Sequence, residues 1–205
     1  MKRIVLVGLV LLLLSGLGGC SGHLPVDAYV PQNEILYSNP NPLDMDHFTY
    51  ESIATKKMKP NQLENTAVGN VYLSSTVAEL VRDATALELR KGGFAVSDKA
   101  DLSIGGDVLE FQVDDLGYSI HWTYGIRYKI LRKSTGETLF SREYTPPMLK
   151  TRKLFASLAT FRQFVHKVVL SGYDMFIRDE EARKILEGGE AAPPLEDQSI
   201  AAKDK

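Results

Sequence analysis

Tyr118-Ser-Ile-His-Trp-Thr-Tyr-Gly-Ile-Arg-Tyr-Lys-Ile130 alternates without a fault over thirteen residues. Tyr118, Ile120, Trp122, Tyr124, Ile126, Tyr128 and Ile130 share one side, and Ser119, His121, Thr123, Gly125, Arg127 and Lys129 share the other. A period of two, with large apolar and aromatic residues on one side, specifies a half-buried antiparallel strand with one wet face. Ser134-Thr-Gly136 follows as a hairpin turn, and Thr138 to Tyr144 returns as the next strand until Pro146-Pro147 stops it. Upstream, Leu102, Ile104, Gly106 and Val108 alternate, while Leu109, Phe111 and Val113 alternate in the opposite phase. A change of phase inside one strand places a bulge near Gly105 to Leu109. Asp114-Asp-Leu-Gly117 turns the chain into the thirteen-residue stretch.

Two helices flank this meander. Thr76 and Glu79 have capping-box spacing, and Val77, Leu80, Val81, Ala84 and Leu87 follow as a helical stripe. Glu88 and Arg90 fall off that stripe and read as solvated; Lys91-Gly92-Gly93 ends the helix, and Phe94-Ala-Val96 enters a strand. From Thr151 to about Arg178, Leu154, Leu158, Phe161, Val165 and Val168 form a second stripe, widened by Phe155, Phe164, Val169 and Tyr173. One helix of that length would run about 40 Å, so a break is expected near Gly172. Asp179 caps a short last helix through Leu186. Before the first helix, His47 to Met58 reads as a strand with Phe48, Tyr50 and Ser52 on one face, and Asn70 to Ser74 as a second short strand. The expected architecture is α+β: an antiparallel sheet with two main helices packed on one face, a two-layer sandwich. The domain would span residues 47–187, enough to bury roughly two thirds of its unfolded surface.

The amino terminus carries a different signal. Lys2 and Arg3 precede Ile4 to Leu14, eleven residues of Ile, Val, Leu and one Gly. That run is too short for a spanning helix of about 20 residues and fits a secretory leader. Leu17-Gly18-Gly19-Cys20 follows, and resembles the bacterial lipobox. Small residues suit a membrane peptidase cutting between Gly19 and Cys20, and the Cys20 thiol is the nucleophile that accepts diacylglycerol. The freed Cys20 amine can then take an N-acyl chain. An ordinary leader, or an anchor with an incidental cysteine, is the competing explanation. Residues 1–19 are thus read as a lipoprotein signal peptide. The expected mature chain has 186 residues, with 22 basic and 26 acidic side chains. Ser21, rather than Asp, implies sorting to the outer membrane, facing the periplasm. Residues 20–46 contain Pro25, Pro31, Pro40 and Pro42 and read as an extended tether, against which Ile35, Leu36 and Tyr37 can pack back. Residues 188–205, with Gly188-Gly189 and Pro193-Pro194, read as a disordered tail.

The whole 205-residue chain has 24 basic and 26 acidic side chains and a net charge of −2, which argues against non-specific nucleic-acid binding. Its single cysteine leaves no internal disulfide and no cysteine-based zinc cluster. His23, His47, His121 and His166 show no metal-ligand spacing, and no HExxH, GxSxG, P-loop or dinucleotide fingerprint occurs. Asp107, Glu110, Asp114 and Asp115 are close in sequence; paired acids can cleave glycosides, but turn and bulge positions explain them better. Lys129, Arg132, Lys133 and Arg142 could form a basic patch, and Lys150, Arg152 and Lys153 are placed at the start of the last long helix. Solvated faces explain these cations, although such a patch could also meet lipid headgroups or an acidic partner. Tyr118, Trp122, Tyr124 and Tyr128 read as sheet core rather than a ligand cage. No catalytic residue, metal or cofactor is expected; the only non-protein groups implied are the acyl chains on Cys20.

Asn70-Val-Tyr-Leu-Ser-Ser, the helix end Leu89-Arg-Lys-Gly-Gly-Phe94, Ala100-Asp-Leu-Ser-Ile104 and the aromatic strand after it resemble the YajG-type lipoproteins. The wider group is that of small periplasmic lipoproteins, including auxiliary components of lipid-transport ABC systems and LpoB-like activators of cell-wall synthases. The resemblance covers roughly residues 47–178 and implies no enzyme and no catalytic residues. The expectation is a non-catalytic, lipid-anchored periplasmic lipoprotein that binds an envelope protein partner, with the tether giving it reach. The alternatives are an auxiliary component of a lipid-transport ABC system and, less favoured, an envelope hydrolase using Asp107 or Glu110.

Overall fold

The computed structural model describes residues 22–24, 28–38, 40–65, 70–153 and 157–188. In chain order the elements are β1 (Gly22–Leu24), β2 (Leu43–Tyr50), α1 (Glu51–Lys56), β3 (Gln62–Asn65), β4 (Val71–Leu73), α2 (Val77–Lys91), β5 (Leu102–Asp114), β6 (Ser119–Arg132), β7 (Glu137–Tyr144), β8 (Leu149–Arg152), α3 (Leu158–Ile177) and α4 (Glu180–Leu186). The expected α+β architecture is present, with an eight-stranded sheet. Its centre is the antiparallel pair β5–β6, in register from Leu102 opposite Arg132 to Asp114 opposite His121. The bulge lies at the edge of the stretch where the phase change put it: Val108 faces Ile126 and Glu110 faces Gly125, leaving Leu109 between them.

Each long central strand is flanked by a partner strand broken in two. β2 and then β3 run beside β5, and β7 and then β8 run beside β6. Helix α1 interrupts the first pair, and Pro146-Pro147 interrupts the second. The expectation of a wholly antiparallel sheet is corrected here. β2 and β3 are parallel to β5, and β1 is parallel to β4. Parallel neighbours need a long crossover, and the path from β3 to β5 runs through β4 and α2. The strand expected over His47 to Met58 instead begins at Leu43 and ends at Tyr50, and Ser52 lies in α1 with its hydroxyl donating to buried Glu64. Phe94 to Val96 forms no strand; Val96 makes one bridge to Leu43.

Tyr128 shows that both main helices lie on one face. Its ring stacks on Phe176 of α3 at 4.5 Å, and its hydroxyl lies 3.1 Å from the Thr85 hydroxyl of α2. Trp122 meets Phe161 at 5.4 Å and Phe164 at 6.0 Å. The alternation of β6 is therefore the core, except at Tyr118, which precedes the ladder and is 96% exposed. Helix α2 starts at the expected capping box, with Thr76 accepting from the Glu79 amide, and stops where Gly93 turns left-handed at φ +97°.

Two readings of the last long helix change. Thr151 and Arg152 belong to β8, and α3 begins only at Leu158 behind a Ser157 cap. Gly172 does not break it. A Cβ there would sit 2.6 Å from Tyr124 Cε1 and 3.1 Å from Ile126 Cγ2, so the glycine lets the helix lie directly on β6. The expected Asp179 cap of α4 is present.

The tether reading is also amended. Residues 28–38 form neither helix nor strand, but they are strapped to the domain, with Tyr29, Asn33 and Tyr37 buried. Glu88, expected in solvent, is fully buried. Its carboxylate accepts from Tyr29 OH at 2.5 Å, Gln32 N at 2.8 Å and Asn33 N at 2.7 Å. Burial, and then the hydrogen bond to Glu88, push the Tyr29 phenol up, so it remains a donor at neutral pH. Tyr37 OH donates to the Ile177 carbonyl at 2.7 Å, which ties the strap to α3 as well. Residues 1–19, with Gly19, and Cys20 lie outside the described residues, as does the tail beyond Gly188.

Gly172→Ala is expected to destabilise by about 1 kcal/mol in urea denaturation, because overpacking at 1–3 kcal/mol outweighs the roughly 1 kcal/mol gained in helix propensity. Glu88→Leu strands two buried donors and one part-buried donor and should cost on the order of 3 kcal/mol. Amide exchange of residues 28–38 should accelerate in that variant.

Candidate functional site

A cleft runs between β2 and α2. A recess of about 450 Å³ is lined by Asp44 to Phe48, Ala78, Glu79, Arg82, Ser103 and Lys133. A second, also about 450 Å³, shares Asp44, Met45 and Arg82 and continues to Arg90 and Asp98. β2 supplies the lining because it lies at the sheet margin and carries an irregularity between Met45 and Phe48 that sets Asp46 and His47 off the ladder with β5. Lys133 Nζ donates to Asp44 Oδ2 and to the Asp98 carbonyl, each at 2.7 Å. Burial pushes the Asp44 carboxyl up, but the Lys133 hydrogen bond and the Met45 amide outweigh it and hold the group below its ordinary range. Ser103 Oγ is buried against this recess with no hydrogen-bond partner among the described residues. No base is therefore hydrogen-bonded to it to make it a nucleophile. The cleft offers mixed charge and a strand margin, which suits an extended polypeptide better than bond-breaking chemistry.

The acids singled out by sequence proximity are separated by their partners. Asp107 accepts from Thr49 Oγ1 at 2.9 Å and Arg127 Nη1 at 3.2 Å, and pairs with Lys129 Nζ at 2.6 Å. Burial raises its carboxyl, but the hydrogen bonds from Lys129, Thr49 and Arg127 win and keep it ionised. A general acid would need the opposite shift. Glu110 sits beside the bulge, opposite Gly125. Asp114 accepts from the Leu116 amide at 3.0 Å, as a turn residue does.

The basic run does not form a patch. Lys129 pairs with Asp107, Arg132 lies 3.7 Å from Glu137, Lys133 pairs with Asp44, and Arg142 pairs with Asp179 and Glu181. Lys150 and Arg152 lie on β8 and Lys153 just beyond it, not at the head of a helix. Trp122, Tyr124 and Tyr128 are core, as read. Among the described residues no group of three or more His, Cys, Asp or Glu is placed to hold a metal, and no helix is long and apolar enough to cross a membrane. The buried Glu88 latch and the β2–α2 cleft were missed. Neither has a local signature, because their partners stand 55 or more residues away in the first case and on separate elements in the second.

No protein-family model matches the sequence, and no curated protein matches it. Among solved structures, the chain is similar to protein XCC0632 from Xanthomonas campestris, of the family DUF330, with 15% identity, 75% of this chain and 95% of that one covered, and a TM-score of 0.55. Lipoprotein GNA1162 from Neisseria meningitidis matches at 12% identity over 64% of this chain and 96% of its own, with a TM-score of 0.37. The LpoB C-terminal domain from Salmonella enterica matches at 8% identity over 51% and 81%, with a TM-score of 0.27. The first likeness shows the fold, and at this identity the fold alone.

The Asp107 cluster has a pH signature. A carboxylate held below its unfolded value stabilises the fold above pH about 4 and loses that contribution as pH falls through its folded value. Unfolding by urea at pH 2–7 should therefore show an acid limb that is shallower in Asp107→Asn, which in turn should be less stable than wild type at pH 7.

Proposed function

We propose that the chain is a bacterial lipoprotein, cleaved between Gly19 and Cys20 and acylated on Cys20, which holds a non-catalytic binding domain at the periplasmic face of the outer membrane. The observation that carries this reading is Leu17-Gly18-Gly19-Cys20 directly after an eleven-residue apolar run, with Cys20 the only cysteine in the chain. Two or three acyl chains, at about 0.8 kcal/mol per buried CH₂, anchor a domain that one chain would hold only loosely. Ser21 supports export to the outer membrane. The β2–α2 cleft supports the binding role: its strand margin and its paired opposite charges fit an envelope protein presenting an extended segment.

The alternative, an auxiliary component of a lipid-transport ABC system, would require a surface for lipid. The apolar face of the sheet is covered by α2 and α3, and the recesses beside β2 carry Asp44, Arg82 and Lys133 or Asp98 among their lining, which favours the protein-binding reading.

Cys20→Ser should lose the acyl mass and move from the membrane to the soluble periplasmic fraction, read by mass spectrometry and fractionation. A variant still sedimenting with membranes would overturn the lipoprotein reading. A photo-crosslinker in place of Arg82 should capture an envelope protein, and stoichiometric lipid extracted from the purified protein would favour the transport alternative instead.

A further inference from the structure

The path of β1 decides which end of the domain faces the membrane. β1 is parallel to β4, β4 is antiparallel to β3, and β3 is parallel to β5. β1 is therefore antiparallel to β5, and its first residue, Gly22, lies toward the end where β5 and β6 are joined. Cys20 stands two residues before Gly22, a reach of at most about 7 Å. An acyl group on Cys20 would bring that end of the sheet to the bilayer surface, with no length of free chain to hold it away.

The same end presents an unusual surface. The turn between β5 and β6 exposes Leu116 at 60% and Tyr118 at 96%. Leu158, half exposed, opens α3 at this end too, because α3 runs along β6 from Phe161 beside Trp122 to Phe176 beside Tyr128. Arg152 stands opposite Ser119 at the foot of β6, and Lys150 opposite His121. The Lys153 amide donates to the Tyr118 carbonyl at 3.0 Å, and its ammonium donates to the Asp115 carbonyl at 2.5 Å, so β8 braces the turn. Two carboxylates share the region, Asp114 and Asp115, and one Asp114 oxygen is engaged by the Leu116 amide.

We propose that this end of the domain is a membrane-docking surface, in which Leu116, Tyr118 and Leu158 enter the headgroup region while Lys150 and Arg152 meet anionic lipid phosphates. The proposal rests on acylation of Cys20. Its chemistry is that of an interfacial protein: an aromatic with an apolar body and polar tip, flanking aliphatics, and cations beside them. The acyl chains hold the domain at the surface, and the tip sets its orientation. The β2–α2 cleft then has a fixed bearing to the membrane rather than swinging on a tether.

The test uses the full acylated chain in vesicles of phosphatidylethanolamine and phosphatidylglycerol. Acylation consumes Cys20, so a cysteine introduced by Leu116→Cys or Tyr118→Cys can be labelled alone with an environment-sensitive dye. Thr135→Cys, in the turn at the opposite end of β6, is the reference. Dye at positions 116 and 118 should shift to the blue and be quenched by lipids spin-labelled near the headgroup, while dye at position 135 should do neither. If the protein is acylated and floats with the vesicles, yet dye at 116 and 118 stays as wet as at 135, the docking surface is overturned and the anchor stands. If no acyl group is found on Cys20, both fall.

Discussion

Everything in the structure is arranged around the aromatic ridge of β6. Trp122, Tyr124 and Tyr128 stand on one face, and the two main helices are placed by what each ring touches: Phe161 and Phe164 on Trp122, the Gly172 backbone on Tyr124, and Thr85 and Phe176 on Tyr128. Large aromatics bury 150–250 Å² each, so a row of three supplies much of the driving force for closing the helix layer. Position is set where contact is tightest. At Gly172 a single missing methyl lets α3 approach the sheet, and at Tyr128 one hydroxyl reaches α2 on the same face.

That ridge explains the division of labour between the two faces. The helix side is spent on packing and leaves the open side to carry charge. There, Arg127 and Lys129 surround Asp107, and each cation has a carboxylate within reach. Such pairs are half exposed and contribute little individually. Their effect is to neutralise the cations on this face, and to keep Asp107 ionised, which removes it as an acid catalyst. The cleft beside α2 arises from the same economy of elements: a sheet margin that is irregular at Asp46 and His47 cannot pack flush against a straight helix.

The strap is where the tertiary structure departs furthest from the local pattern. Prolines in residues 20–46 exclude helix and so suggested an extended tether, with Ile35, Leu36 and Tyr37 able to pack back; Tyr37 is buried, and Leu36 is exposed. The prolines do not exclude a chain lying in a groove, and Glu88 supplies the acceptors that hold it there. A buried carboxylate is costly unless its lone pairs are filled, and two backbone amides with a phenol fill them. The consequence bears on the proposed function, since a domain strapped down within a few residues of an acylated Cys20 would have orientation but little reach.

The sequence by itself determined what depends on neighbours in the chain. The β6 alternation, the β5 phase change, the Thr76 and Asp179 caps and the glycine stop at Gly93 are all local patterns with one physical meaning each. Only the tertiary structure decided the parallel pairing of β2 and β3 with β5, the placing of Thr151 and Arg152 in β8, the role of Gly172 as a close approach, and the burial of Glu88. Each of these depends on a partner far away in sequence, and a residue's own chemistry does not say whether a distant hydrogen-bond donor or an aromatic ring will be waiting for it. The end of the domain that carries Leu116 and Tyr118 belongs to the same class, because its relation to Gly22, where β1 begins, follows from strand order alone.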